Sequence, residues 1–301
     1  MRHLQTLRYV DAVARAGSIR KAAETLAITS TALNRRILAL EEDLGVPIFE
    51  RLANGVRLST AGEILIQHVR EQLTDMERVK SRIADLSGLR RGHVSIACSQ
   101  ALLPHFLPEQ IAHYRANQPA VTFQVMRRDR AAAEAALVAH DADIAIVFEP
   151  VRLSEFHTLL TVRQTVHAVV ARNHPLAGEG PVRLRDCLRF PVAVPTQDYG
   201  VRHLLELALR RSSLEMNVAL ESDSFEFLRG FAHASPLVSF QIPIGLEENP
   251  TFNEVSRPLD ERDMPSGLLY MGQLRGRALP IAPASFADQL ARAFSERFEC
   301  V

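Results

Sequence analysis

"ITSTALNRRILALEEDLG", residues 28–45, decides how the chain is read. Thr29 stands just before the first apolar repeat and suits an N-cap, because its hydroxyl can accept a hydrogen bond from an orphaned backbone N–H. Leu33, Ile37, Leu40 and Leu44 follow at steps of four, three and four residues, so they share one helical face. Gly45 ends the run, as glycine does where a helix closes in a left-handed turn. The other face begins with Ser30, Thr31, Asn34 and Arg35. It is either a solvated polar side or a surface made to touch something.

Upstream, Leu4, Leu7, Val10 and Ala14 form a helical stripe that stops at Gly17. Ser18 can cap the next helix, "SIRKAAETLA", where Ala22 and Ala23 would let another helix approach closely. Two short helices joined by a tight turn match a helix-turn-helix, whose second helix places its first turns in the DNA major groove. Arg35 can then donate two hydrogen bonds to guanine, and Asn34 can pair with adenine. Thr31 lies beside them. Ser30 and the helix N-terminus suit phosphate oxygens. Downstream, "GVPIFERLANGVRLST" holds two short apolar runs around Asn54-Gly55, a strong hairpin signal. A hairpin there would be a wing, with Arg51 and Arg57 near its tip for the duplex backbone.

The run from Leu7 to Glu63 carries "GSIRKAAETL", "ALNRRILALEEDLGVPIFER" and "LSTAGE". It resembles the winged helix-turn-helix of LysR-type transcriptional regulators, and the family's architecture accounts for the whole chain. The resemblance implies a DNA-binding regulator that dimerises through a linker helix, assembles as a homotetramer, and answers to a small-molecule effector. RNA polymerase is a possible further partner. Members usually carry Gln-Pro where this chain has Ser30 and Thr31, and Ser where it has Asn34. An unusual operator preference is expected.

The fold expected is α plus α/β. A winged helix-turn-helix covers residues 1–58, a dimerising linker helix 59–88, and a two-lobed effector domain 93–301, similar to periplasmic binding proteins. Thr60 and Glu63 are spaced as a capping box for the linker. Val69, Leu73, Met76, Val79, Ile83 and Leu86 recur along it at three- and four-residue steps, a stripe that wants a partner helix. "SGLRRGH", residues 87–93, marks the boundary. Beyond it, β-branched runs such as "HVSIACS", "AVTFQVM", "DADIAIVF" and "RFPVAVP" alternate with helical stretches, which predicts parallel sheets. Lobe I is expected at about 93–162 and 268–301, lobe II at about 163–267, with the β-rich stretch 157–171 crossing between them.

Ligands of parallel α/β sheets sit at strand C-termini near helix N-termini. That rule picks Ser99, Gln100, Arg128, Asp129, Arg130, Phe148 with Glu149, the loop at Thr196 and Gln197, and Ser222 to Ser224. Arg128 and Arg130, with Arg202, could clamp a carboxylate or phosphate, or could be solvated charges. Phe148, Tyr199 and Phe240 could form an apolar wall, or simply core.

The bulk numbers agree with a globular protein: 47% hydrophobic and 23% charged residues, with zero formal net charge. The charge is unevenly spread. Residues 1–92 hold 15 Lys+Arg against 11 Asp+Glu, and the remainder 20 against 24. Cys98, Cys187 and Cys300 are too scattered for a disulfide framework or a zinc site, which leaves ordinary thiols or redox control open. The N-terminus lacks an apolar signal region and no run is long enough to span a membrane, so a cytoplasmic protein is expected. GxSxG, HExxH and P-loop patterns are missing, and no metal or cofactor site is expected. His105 and His113 share a helix at surface-like spacing, and Glu41, Glu42 and Asp43 read as solvated or paired with Arg36. Two other readings stay open: a sensor acting through protein partners, and, less favoured, an enzyme on the two-lobed domain.

Overall fold

The computed structural model describes residues 2–86, 92–151, 153–234, 236–246 and 253–301. The chain divides into two compact units, residues 1–87 and 88–301. Most of the boundary expected at 87–93 lies outside the described residues.

In the first unit, α1 (Arg2–Ala16), α2 (Ile19–Thr25) and α3 (Ser30–Leu44) are followed by a hairpin and a long helix. Leu7, Tyr9, Val10, Val13, Ala22, Ala23, Leu33 and Ile37 form the core. Ser18 caps α2 by accepting from Lys21 N, and Thr29 caps α3 by accepting from Ala32 N at 3.2 Å. Gly45 closes α3 in the left-handed conformation. The apolar face of α3 is shorter than its sequence stripe. Leu40 is partly buried, and Leu44, at the last turn, is 47% exposed because the core ends before it.

Strands β1 (Phe49–Leu52) and β2 (Gly55–Leu58) form the hairpin, with Leu52 opposite Gly55. The two-residue turn is therefore Ala53-Asn54, one residue earlier than expected, and Gly55 starts β2. Gly55 has φ +139°, and a Cβ there would stand 2.3 Å from the Gly17 carbonyl oxygen. That oxygen accepts from Val56 N at 2.9 Å, which ties the hairpin to the turn between α1 and α2. Only glycine permits this approach.

Helix α4 (Thr60–Leu86) is capped one residue earlier than the "TAGE" reading implied. Buried Ser59 accepts from Gly62 N at 3.0 Å and donates to the Pro47 carbonyl at 2.6 Å. The α4 stripe is divided. Ile66 and Val69 belong to the core of the first unit, Leu73 packs on it, and Arg70 pairs with Asp11 of α1 at 2.9 Å. Farther on, Val79 and Ile83 are exposed at 45% and 59%.

The second unit has two five-stranded sheets. Lobe I takes β3 (Gly92–Cys98), β4 (Val121–Arg127), β5 (Ile144–Phe148), β6 (Phe156–Gln164) and β12 (Gly267–Leu274), in the order β4-β3-β5-β12-β6. Helices α5 (Phe106–Asn117), α6 (Ala132–Val138) and α10 (Ile281–Arg297) cover it. Both faces of its central strands are buried, which is why "IAIVF" of β5 has no polar alternation. Lobe II takes β7 (His167–Ala171), β8 (Val192–Pro195), β9 (Val218–Ser222), β10 (Val238–Gln241) and β11 (Glu254–Pro258), in the order β11-β7-β10-β8-β9. Its helices are α7 (Leu184–Cys187), α8 (Gly200–Arg210) and α9 (Phe225–Ala234).

The sheets are mixed rather than parallel. β12 runs antiparallel to β5 and β6, and β7 runs antiparallel to β10 and β11. The reversal follows from connectivity: β6 enters lobe II through Thr165-Val166 alone, and the chain returns from β11 to β12. The strand that enters each lobe this way, β12 or β7, runs against the βα strand beside it, and the strand that leaves, β6 or β11, runs against the entering one.

Candidate DNA-reading surface and inter-lobe cleft

With Leu33 and Ile37 fixed in the core, the opposite face of α3 is set by helical geometry. Ser30, Thr31 and Arg35 are exposed there. Arg35 makes no hydrogen bond or ion pair among the described residues. Its neighbour Arg36 lies over the Tyr9 ring, 5.2 Å from the centroid, and not against the acidic cluster. Glu41 is not merely solvated either. Its Oε1 accepts from Ile48 N at 2.7 Å and Phe49 N at 3.0 Å, which anchors the chain entering β1. No local sequence signal reveals this, because the partners are seven and eight residues away.

The hairpin reaches the same surface. Arg51 Nη2 donates to Asn34 Oδ1 at 3.1 Å, joining β1 to α3. Arg57 stands opposite Glu50 across the hairpin and pairs with it at 2.7 Å, both largely exposed. Asn54 is exposed in the turn. The surface thus presents hydroxyls, one uncommitted guanidinium, two amides and two hairpin arginines.

Between the lobes the picture differs. The C-terminal end of β5 meets the start of α8: a Cβ on Gly200 would stand 2.6 Å from the Phe148 ring and 2.7 Å from its carbonyl oxygen. Phe148 is therefore packed into the lobe contact rather than lining open space. Glu149, with φ +50°, follows it, and its carboxylate accepts from Leu268 N at 2.7 Å. Arg130 Nε donates to the Glu149 carbonyl, and burial lowers the Arg130 pKa. Arg130 N also reaches the Asp198 carbonyl of lobe II at 3.4 Å. His203, on α8, is lowered by burial first and by Arg130 second. Gln100 Oε1 accepts from Phe225 N at the start of α9 at 3.3 Å, and Arg127 meets Asp223 at 3.3 Å. The strand-end rule picks Glu149 together with Phe148, but sequence reasoning singles out neither Arg127 nor His203, whose partners lie far along the chain.

Several expected effector contacts have other partners. Asp129 accepts from Ala131 N and Ala132 N and so starts α6. Arg202 is buried and donates to Glu206 and Glu221, both at 2.9 Å. Phe240 is wholly inside the lobe II core. Tyr199 is buried against Phe225, with its hydroxyl donating to the Asp223 carbonyl at 3.2 Å. Each lies near a strand end, as expected, but its side chain is turned to a neighbour within the protein. Ser99, Gln100 and Thr196 remain half-buried at strand ends, and Gln197 is exposed. Arg128 is also half-buried, donating to the Arg127 carbonyl at 3.0 Å and contacting Met126 Sδ. A surface cavity of about 450 Å³ lies elsewhere in lobe II, near Leu176, Arg183, Arg189, Phe190 and Arg257. Arg183 is held there by Asp263 and Arg257 by three backbone carbonyls.

Cys98 and Cys187 are buried, and burial pushes each thiol up to about 12. Neither holds thiolate near neutral pH, which argues against the redox role left open above. Among the described residues, no group of three His, Cys, Asp or Glu side chains converges on a metal position. No described helix is long and apolar enough to cross a membrane.

Two family models match the chain. The model for bacterial regulatory helix-turn-helix proteins of the lysR family covers residues 4–63, and the LysR substrate binding domain covers residues 87–295. The HTH-type transcriptional regulator CbbR of Sinorhizobium medicae is 30% identical over 213 residues, spanning 71% of this chain and 68% of that protein. A full-length OxyR variant from Pseudomonas aeruginosa shares the fold with a TM-score of 0.73 at 17% identity, covering 97% of this chain and 94% of its own. The effector binding domain of QuiR in complex with shikimate matches with a TM-score of 0.58 at 17% identity, covering 69% of this chain and all of its own.

Proposed function

The chain belongs to the LysR family of DNA-binding transcriptional regulators, and from that premise we propose how its own residues divide the work. Arg35 reads a base in the major groove, with Asn34 and Thr31 beside it. Ser18, Thr29, Ser30, Asn54 and Arg57 position the duplex backbone. The observation that carries this reading is Arg35 itself: an uncommitted guanidinium on the second turn of α3, directly opposite a buried face. A free fork of donors is what a guanine edge requires.

The effector is a small anion held between the lobes by Ser99, Gln100, Arg128, Arg130, Thr196 and Gln197. The N-terminus of α8, close to Thr196 and Gln197, supports an anionic ligand, as the positive end of a helix does. The shikimate complex of QuiR supports a ligand of that size in a domain of this fold. Control of transcription requires that the effector bind one lobe arrangement better than the other. Val79 and Ile83, exposed on α4, support dimerisation through a like helix of a second copy. Two such dimers form a tetramer that works in the cytoplasm beside RNA polymerase, and the role is regulatory rather than enzymatic.

The test is binding to the DNA immediately upstream of the protein's own gene, by fluorescence anisotropy at fixed near-physiological salt with scrambled duplex as competitor. Specific binding that Arg35→Ala abolishes supports the reading. Equal weak binding to both duplexes sends the search to a genome-fragment selection, with and without pools of small carboxylates and phosphates. No enriched sequence under either condition would overturn it.

A further inference from the structure

We infer that Arg51 sets base preference indirectly, by locking the amide of Asn34 in one orientation. The inference rests on the proposal that α3 enters the major groove. The hydrogen bond from Arg51 Nη2 to Asn34 Oδ1 is 3.1 Å long and spans 17 residues of sequence. An amide can ordinarily flip, exchanging its acceptor oxygen for its two-donor nitrogen. A guanidinium has donors only, so the atom facing Arg51 must be the oxygen. The Asn34 amide nitrogen is thereby aimed away from the hairpin, donors first. Arg51 is itself held in β1, opposite Val56, and Val56 is tied to Gly17. The exposed Arg51 side chain is thus carried on a braced hairpin strand.

The chemistry that follows is specific. A donor-first amide reads a base edge that offers an acceptor. Adenine and guanine offer N7, guanine and thymine offer carbonyl oxygens, and cytosine offers only its amine donor in the major groove. A freely flipping Asn34 could turn its oxygen to that amine; a locked one cannot. Arg51 therefore excludes cytosine at the base that Asn34 faces. It is a positioning residue and does not itself touch the base. Water leaves the surface when the duplex docks, so the bond strengthens where it is needed.

The experiment is selection from a randomised duplex library by the full-length wild-type, Arg51→Ala, Asn34→Ala and double-variant proteins, at one salt concentration. Enrichment by the wild type is required first; its absence counts against the DNA-reading proposal and not against the clamp. Given enrichment, Arg51→Ala should lose about tenfold discrimination against cytosine at one position per half-site, with the other positions unchanged. In the Asn34→Ala background the same Arg51→Ala change should leave the base profile unaltered. A uniform loss of affinity with an intact profile would make Arg51 a backbone contact and overturn the inference. A profile change that persists without Asn34 would overturn it too, since Arg51 would then read the base directly. Thermal melting of each variant separates these outcomes from misfolding.

Discussion

In the first unit, Thr31 and Arg35 stand in solvent on a helix whose other side is core. In the second, Arg202, Arg229 and Arg277 are turned inward onto Glu221, Glu254 and Asp143. The contrast follows from what each unit meets. A duplex is large, stiff and uniformly charged, so its reader needs donors that are preformed and uncommitted. A two-lobed domain that responds to a small ligand needs each lobe rigid, so that movement is confined to the strands between them. Buried ion pairs serve that end because they tolerate few alternative packings.

If the contrast is right, removing one carboxylate from the second unit acts on stability. Glu254→Ala removes the buried carboxylate that pairs with Arg229 and should cost the second unit about 3–5 kcal/mol. Urea unfolding of the full chain would show an early transition for that unit, while the first unit melts as before. A loss below about 1 kcal/mol would mean that the pair is not a staple.

The mirror experiment in the first unit should leave stability alone. Arg35→Ala is expected to cost about 1–3 kcal/mol of specific DNA binding and to relax preference at its base pair. Unchanged preference across an operator library would remove Arg35 from the reading set. Next in size is Arg57→Ala, which should weaken all duplexes alike and flatten the salt slope by about one unit. Because Glu50 already pairs with Arg57, Glu50→Gln should have the opposite sign. Both are read from titrations at several salt concentrations. The smallest effect concerns the thiols. At pH 8 an aromatic disulfide reagent should modify exposed Cys300 at once, and buried Cys98 and Cys187 only after denaturation. Three fast thiols would contradict the packing around β3 and α7.

How much of this was legible in the sequence depended on the range of the interaction. Most local signals held, namely the caps at Ser18 and Thr29, the stop at Gly45, and the apolar periodicity that set the face of α3, while the hairpin turn and the α4 cap each lie one residue earlier than read. The alternation of strand and helix pointed to α/β sheets and the family resemblance to two lobes, but neither showed the antiparallel strands that join them, since strand direction is decided by partners far along the chain. The strand-end rule led to residues where the two lobes meet, such as Gln100 and Arg130. It could not foresee that Arg202 meets Glu221, 19 residues on, or that Asp129 is needed to start α6. A charged side chain near a strand end satisfies a helix, a neighbouring carboxylate or a ligand equally well on paper. Only the partners it meets in the folded chain decide. The Asn34–Arg51 bond was invisible for the same reason, since each residue alone read as a separate DNA contact.

Helix α4 begins inside the core that holds α3, with Ile66 and Val69 packed and Arg70 pinned to Asp11. Its 27 residues extend about 40 Å with no cap or break between root and tip. Such a helix acts as a crankshaft. A twist applied at its far end is carried toward the core that holds α3, because the helix is continuous and its root is packed there. In a dimer, a few degrees of that twist would alter the angular phase at which two reading heads meet successive turns of one duplex. Half-site spacing would then be a torsional readout of whatever grips the other end of the shaft.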